Sequence, residues 1–186
     1  MKEKVKKQNK AIYFIAFFIA IFLIIIGIIT FYNIKYPIKY RDYIIKYADE
    51  YALDRELVAS VINEESSYNS RAISKNGAIG LMQILPSTGE YIAQRLGDDD
   101  YSTEKLFDEE TNIRYGCYYL SYLKERFSDE KVYLSAYNAG ETTVAMWLND
   151  REISSDGISL NDIPYNVTKN YTYKILDGMR HYKGRI

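Results

Sequence analysis

Cysteine and histidine are almost missing from this chain: Cys117 stands alone, and so does His181. A single cysteine makes neither an intrachain disulfide nor a cysteine-based metal site, and its thiol is expected to pack in a helix as a small hydrophobe. A single histidine near the C-terminus, with no ligand-spaced partner, excludes His-rich zinc sites and Ser-His-Asp chemistry. No metal and no cofactor is expected. A basic excess is lacking too. Lys+Arg number 24 against Asp+Glu 25, for a net charge of -1, so no field draws a nucleic acid. Any chemistry then falls to carboxylates. Tyrosine, in contrast, is plentiful at 20 residues of 186, a content that suits a packed core and equally a cleft that stacks sugar rings.

Ala11 to Tyr32 is an uncharged apolar run, long enough as a helix to cross the ~30 Å hydrocarbon layer. A cleaved signal peptide would have a shorter apolar region, ~7 to 15 residues, followed by small residues. Here Phe31-Tyr32-Asn33-Ile34-Lys35 follows, so an uncleaved transmembrane anchor is expected. Lys2, Lys4, Lys6, Lys7 and Lys10 precede it, and the positive-inside rule puts that end in the cytoplasm. The expected organisation is a basic cytoplasmic tail (1–10), a single-pass anchor in the cell membrane (11–32), a short linker (33–39) and an extracytoplasmic domain (40–186). That domain, about 150 residues, is the size of one compact fold.

The outer domain reads as all-α, with helical periodicity, no sustained alternation and no repeat. Helices are expected over Tyr40 to Tyr51 and, capped by Asp54, over Arg55 to Ser66. Ser87-Thr88-Gly89-Glu90 has the form of a capping box for a third, which Gly97 ends. A fourth runs from about Asp108 to Phe127, a fifth from Asp129 to Tyr137, a sixth from Glu141 to Leu148, and a last one from Thr168 to Met179. A long glycine-bearing loop spans Ser67 to Pro86, and Asp156-Gly157 marks a turn.

Helix geometry separates two adjacent acids. Counted from Leu57, the apolar Leu57, Val58, Val61 and Ile62 lie at about 0°, 100°, 40° and 140°, Glu65 at about 80°, and Glu64 at about -20°. Glu65 therefore points inward with the apolar stripe, and Glu64 reads as a solvated surface residue. An inward carboxylic acid loses hydration, which raises its pKa as a general acid near neutral pH requires. The alternative is that Glu65, close to the helix end, turns to water or pairs with Arg71 or Lys75.

Glu65-Ser66-Ser67-Tyr68-Asn69, then Gly77-Ala78-Ile79-Gly80-Leu81-Met82-Gln83 and Pro86-Ser87-Thr88, resemble the soluble-lytic-transglycosylase domain, a lysozyme-like α fold with little or no sheet. Asn112-Ile113 with Gly116, Tyr119 and Leu120, Ala136-Tyr137-Asn138-Ala139-Gly140, and Ile163-Pro164-Tyr165 with Thr168, Asn170 and Tyr171 agree in order. The resemblance spans about Tyr40 to Leu176. It implies that Glu65 is the catalytic acid/base, with Ser66, Gly80, Met82, Gln83, Tyr137, Asn138 and Tyr171 as substrate-binding residues. Tyr137 would hydrogen-bond the carboxyl group, and Gly77 and Gly80 would let backbone approach a ligand. Core packing competes with these roles for Met82 and Tyr171. One position departs: Val167 stands where many relatives carry an acid, which puts a polar contact beside the cleft in doubt.

The family's substrate is the peptidoglycan glycan strand. A hydrolytic glycosidase needs two carboxylates, ~5 to 5.5 Å apart if retaining and ~6.5 to 9.5 Å if inverting. No second one stands out, since Asp98-Asp99-Asp100 follows a helix-ending glycine and reads as a solvated loop. The resemblance implies cleavage between N-acetylmuramic acid and N-acetylglucosamine by Glu65 alone, with a 1,6-anhydro product. The alternatives are a muramidase on the same fold with water as acceptor, and a non-catalytic peptidoglycan-binding scaffold. A cell-envelope machine is a further partner class suggested by the anchor.

Overall fold

The computed structural model describes the backbone from Lys2 and side chains from Tyr13 to Ile186. The chain divides into two units, Met1–Pro37 and Ile38–Ile186. The first is α1 (Lys2–Lys35), a single helix. Within Tyr13–Lys35 an 18-residue stretch has a mean hydropathy of 3.1 and no buried residue, and among the described residues α1 is the one helix long and apolar enough to cross a bilayer. The helix runs past Tyr32 because nothing breaks it before Pro37, so the linker expected from Asn33 shrinks to the non-helical residues 36–40. The lysines read as orienting the span, and Ala11 at its start, lie outside the residues whose side chains are described.

The second unit is helical. α2 (Arg41–Glu50) and α3 (Arg55–Ser66) come first, then the loop with two isolated antiparallel bridges, Ile73 to Ile79 and Ile79 to Ile84. α4 (Pro86–Leu96), a short 3-10 helix (Thr103–Phe107), α5 (Glu109–Arg126), α6 (Glu130–Ala139), α7 (Glu141–Asn149) and α8 (Asn166–Tyr182) follow. Most bounds lie within a residue or two of those expected. α8 is the exception, starting at Asn166 and running to Tyr182 because Tyr171, Thr172, Ile175, Gly178 and Tyr182 keep its inner face buried throughout.

The capping box is a correction. α4 starts at Pro86, with Leu85 in the N-cap position, since proline at the first helical position has its φ preset and no N–H to satisfy. Ser87 and Glu90 thus fall inside the helix. The 3-10 helix was not legible, having one buried side chain, Leu106. Asp108 and Asp129 do cap, accepting from Thr111 N at 2.8 Å and Val132 N at 3.1 Å, whereas Asp54 holds its position without bonding the first turn. Cys117 is buried in α5.

α3 is packed all round: Leu57 through Ile62 are buried without interruption. α2 lies against one side and α8 against another. The approach to α8 is close because Gly178 faces Ser60, whose Oγ would collide with any Cβ there and instead donates to Ile175 O at 2.8 Å. α5 forms the other centre, touching α2, α4 and α6.

A buried side chain of α5 holds the loop. Asn112, 1 % exposed, donates from Nδ2 to Ile79 O (2.9 Å) and Leu106 O (2.7 Å) and accepts from Met82 N at 2.7 Å. Gly80, with φ of 81°, abuts Asn112 and the Leu106 carbonyl so closely that a Cβ has no room. Stranding three buried backbone groups costs each its desolvation. Asn112→Ala is therefore expected to lower unfolding stability by about 2 to 4 kcal/mol, read as an earlier midpoint in chemical denaturation, whereas an unchanged midpoint would mean that the loop does not depend on this side chain.

Candidate active site

Glu65 is the penultimate residue of α3, just before the chain turns through left-handed Ser67 and Tyr68, with φ of 51° and 63°. This turn sends the chain away from the helix axis and into the loop. Glu65 is half-buried and lines a cavity of about 240 Å³ with Ser74, Asn76, Ala78, Gln83, Leu85, Tyr137 and Asn138. It is the one carboxylate in that lining. Tyr171 of α8, itself 6 % exposed, donates its hydroxyl to Glu65 Oε1 at 2.7 Å, an inner partner in place of Arg71 or Lys75. Burial pushes the carboxyl pKa up to about 7, against the opposing hydrogen bond from Tyr171 and with a smaller push from the negative charge of Glu64.

Glu64 differs from the solvated residue expected of it. Its side chain is only 25 % exposed and binds Lys174 Nζ at 2.8 Å, because α8 packs over that side of α3 as well. The pair places a cation beside the one acid next to Glu65.

The other expected residues separate into two sets. Gln83, Tyr137 and Asn138 face the cavity with Glu65. Gln83, at φ of 51°, spends its amide nitrogen on Gly80 O at 2.9 Å. Tyr137 bonds not the carboxyl group but Met82 O, at 2.8 Å; the carboxyl group has Tyr171 instead. Asn138 Oδ1 accepts from Thr168 Oγ1 at 2.8 Å. Ser66, Gly80 and Met82 serve the loop itself. Ser66 Oγ donates to Leu81 O at 2.8 Å, tying the end of α3 to the loop. Met82 is fully buried in a space that exists because Gly116 carries no Cβ. Gly80 makes its close approach to Asn112, not to a ligand, and Gly77 has open space around it. Val167 is 76 % exposed, while its neighbour Thr168 turns inward to Asn138.

Ser74, Asn76, Ala78 and Leu85 complete the cavity and were missed from the sequence. They lie in irregular loop, where no periodicity marks which side faces a ligand. The Asp98 side is settled by pairing: Asp98 binds Arg114 at 2.9 Å and Tyr115 at 2.9 Å, and Asp100 binds Lys105. Neither lines the cavity. A larger hollow of about 420 Å³ lies elsewhere, between Asp54, Glu56 and Glu130 and the cations Arg180 and Lys183.

From the Glu65 cavity the cleft continues. Gln83, Leu85, Tyr137 and Asn138 also line a second hollow of about 230 Å³ with Thr88 and Tyr119. Such a row, with an acid of raised pKa at one end and polar and aromatic walls, suits an extended ligand.

With this geometry in view, the profile of the family described as the transglycosylase SLT domain matches residues 42–157. The chain belongs to this family. It is 30 % identical over 145 residues to the soluble lytic murein transglycosylase of Escherichia coli (strain K12), covering 76 % of this chain and 22 % of that protein. It is 35 % identical over 127 residues to the membrane-bound lytic murein transglycosylase C of Histophilus somni (strain 2336), covering 62 % and 35 %. Among solved structures it matches an inactive glutamate-to-glutamine mutant of the lytic transglycosylase Slt from Pseudomonas aeruginosa, with a TM-score of 0.70 and 28 % identity over 81 % of this chain and 25 % of that one. The chain thus spans about a fifth to a third of the length of these relatives. The family match includes Glu65 but ends before Tyr171, whose contact with it comes from α8.

The raised pKa has a consequence for stability. Between about 4.5 and about 7 the folded chain keeps a proton on Glu65 that the unfolded chain has lost, so this group makes unfolding easier as pH rises through that window. Glu65→Gln removes the titration. The variant is expected to gain on the order of 1 to 3 kcal/mol over the parent at pH 8, and little at pH 4, in denaturant titrations at both pH values. Equal differences at the two would show an ordinary surface acid.

Proposed function

We propose that the chain is a membrane-anchored peptidoglycan lytic transglycosylase, cleaving the bond between N-acetylmuramic acid and N-acetylglucosamine with Glu65 as its single acid and base. The observation that carries this reading is a half-buried carboxyl group with a pKa near neutrality, alone of its kind in a cavity of about 240 Å³. The names of the relatives supply the substrate. Their membrane-bound members, together with α1, support anchoring, and the lysines before the span favour a cytoplasmic N-terminus.

A protonated Glu65 donates to the glycosidic oxygen, and the bond from that oxygen to the muramyl anomeric carbon breaks. The muramyl N-acetyl group assists at that carbon. Glu65, now a carboxylate, takes the proton from the sugar's own 6-hydroxyl as its oxygen attacks the anomeric carbon. A 1,6-anhydro ring closes and Glu65 regains its proton. No water is consumed, and the attack is intramolecular, with the proximity advantage that brings. This route asks for one carboxylate, which matches the single one in the lining; hydrolysis would ask for two at defined separations. Tyr171 holds the carboxyl group in place and offers a donor to its charged form. Tyr137 and Gln83, braced on the loop, shape the wall opposite.

Mass spectrometry of peptidoglycan digested by the full-length protein tests the reaction: anhydro termini are expected, and hydrated reducing ends in their place would mean a hydrolase. Glu65→Gln should reduce the rate by about 10² to 10⁴-fold, and a variant that keeps full function would point to a binding scaffold. Activity should fall as pH rises through about 7, where Glu65 loses its proton. In Tyr171→Phe, which removes a hydrogen bond favouring the charged form, that alkaline limb should move to higher pH.

A further inference from the structure

α8 meets α3 at two successive acids. Tyr171 donates to Glu65 Oε1 at 2.7 Å, and Lys174 donates to Glu64 Oε1 at 2.8 Å. Tyr171 and Lys174 are three residues apart on one helix, and side chains at that spacing are neighbours. The phenol that holds the inner acid and the ammonium that holds the outer one therefore stand side by side. Glu64 is the more enclosed member of the outer pair, its side chain 25 % exposed against 65 % for Lys174. Packing sets the place of the glutamate, whereas the lysine has a long flexible stem with its head in water.

An ammonium in that position is a hazard to a proton donor. An opposite charge within ~4 to 6 Å of a carboxyl group lowers its pKa by about 1 to 3, enough to ionise Glu65 near neutral pH. The other groups around Glu65 are neutral, engaged elsewhere or outside the cavity. Burial keeps Tyr171, Tyr137 of α6 and Cys117 of α5 protonated. From the loop, Arg71 lies over the Phe107 ring, and neither it nor Lys75 lines the cavity. Further along α8, Asp177 pairs with Arg180 and His181. At the other end of α3, Arg55 pairs with Asp49 of α2.

We propose that Glu64 is a positioning residue that captures Lys174 and keeps its ammonium from pairing with Glu65, so that the inner acid holds its proton near neutral pH. The Glu64 carboxylate acts in two ways. It occupies the ammonium, and its own charge, next in the chain to Glu65, favours the protonated form of that acid. This inference rests on the cleaving reading, in which Glu65 has to be protonated to act.

Carboxyl ¹³C titration of the full-length protein in detergent micelles, with the Glu65 signal assigned by its loss in Glu65→Gln, tests it through a cycle of variants. Glu64→Gln should bring the Glu65 midpoint down from about 7 by about 1 or more, because Lys174 is released to it. Lys174→Met in the parent should move the midpoint up by only about 0.5 or less, since water screens an exposed ammonium. In the Glu64→Gln background the same Lys174→Met change should restore at least half of the fall. A Lys174→Met shift of equal size in both backgrounds would overturn the capture, as would an unmoved midpoint in Glu64→Gln, the result expected of a pair that serves packing alone. Anhydro product released from peptidoglycan is followed across pH in the same variants, and its alkaline limb should move with the midpoint. No product from the wild type, or a limb that stays while the midpoint moves, would count against the cleaving reading and not against the capture.

Discussion

The hydrogen bond from Tyr171 to Glu65 joins residues 106 positions apart in the chain, and the rest of the domain is arranged so that it can form. A carboxyl group taken from water must be held by its surroundings or it turns back to solvent. Here α8 supplies the partner and α3 the acid. The two helices come close enough because Gly178 gives way to Ser60, which ties the helices together through Ile175. Lys174 on the same helix neutralises Glu64, limiting the charge felt by its neighbour. One helix thus sets both the position and the protonation of the acid.

The opposite wall of the cleft is irregular backbone, and irregular backbone has to be braced. Asn112 does this from α5, Ser66 from the end of α3, and Tyr137 from α6, each bonding a backbone group between Ile79 and Met82. Met82 anchors the same segment by filling the space over Gly116. Residues that a functional motif would place in contact with substrate therefore divide the work: some line the cavity and others hold the liners still. A wall built in this way stays open to ligand without collapsing onto the acid.

Much of this was legible in the sequence. The helices show in apolar periodicity, and the inward direction of Glu65 follows from its angular place on α3. Glu65 sits beyond Ile62, the last residue of the fully buried run of α3, and Tyr171 meets it from α8. Other features depend on contacts between distant segments and leave no local trace. Tyr171 as the partner of Glu65, Lys174 as that of Glu64, and Asn112 as a brace each require α5 or α8 to be placed first. The start of α4 turned on a competition between Pro86 and a capping box, which proline won through its preset geometry. Loop residues such as Ser74 and Asn76 carry no periodic signal at all.

The central claim is that the fold keeps Glu65 protonated near neutral pH. Its most direct test is the titration of the side-chain carboxyl carbon by ¹³C NMR in glutamate-labelled protein, with the Glu65 resonance assigned by its loss in Glu65→Gln. A midpoint of about 7 is expected, set by burial against the opposing bond from Tyr171. A midpoint near that of an ordinary glutamate, about 4.3, would contradict the account, since the carboxyl group would then be ionised near neutral pH and could not serve as the proposed proton donor.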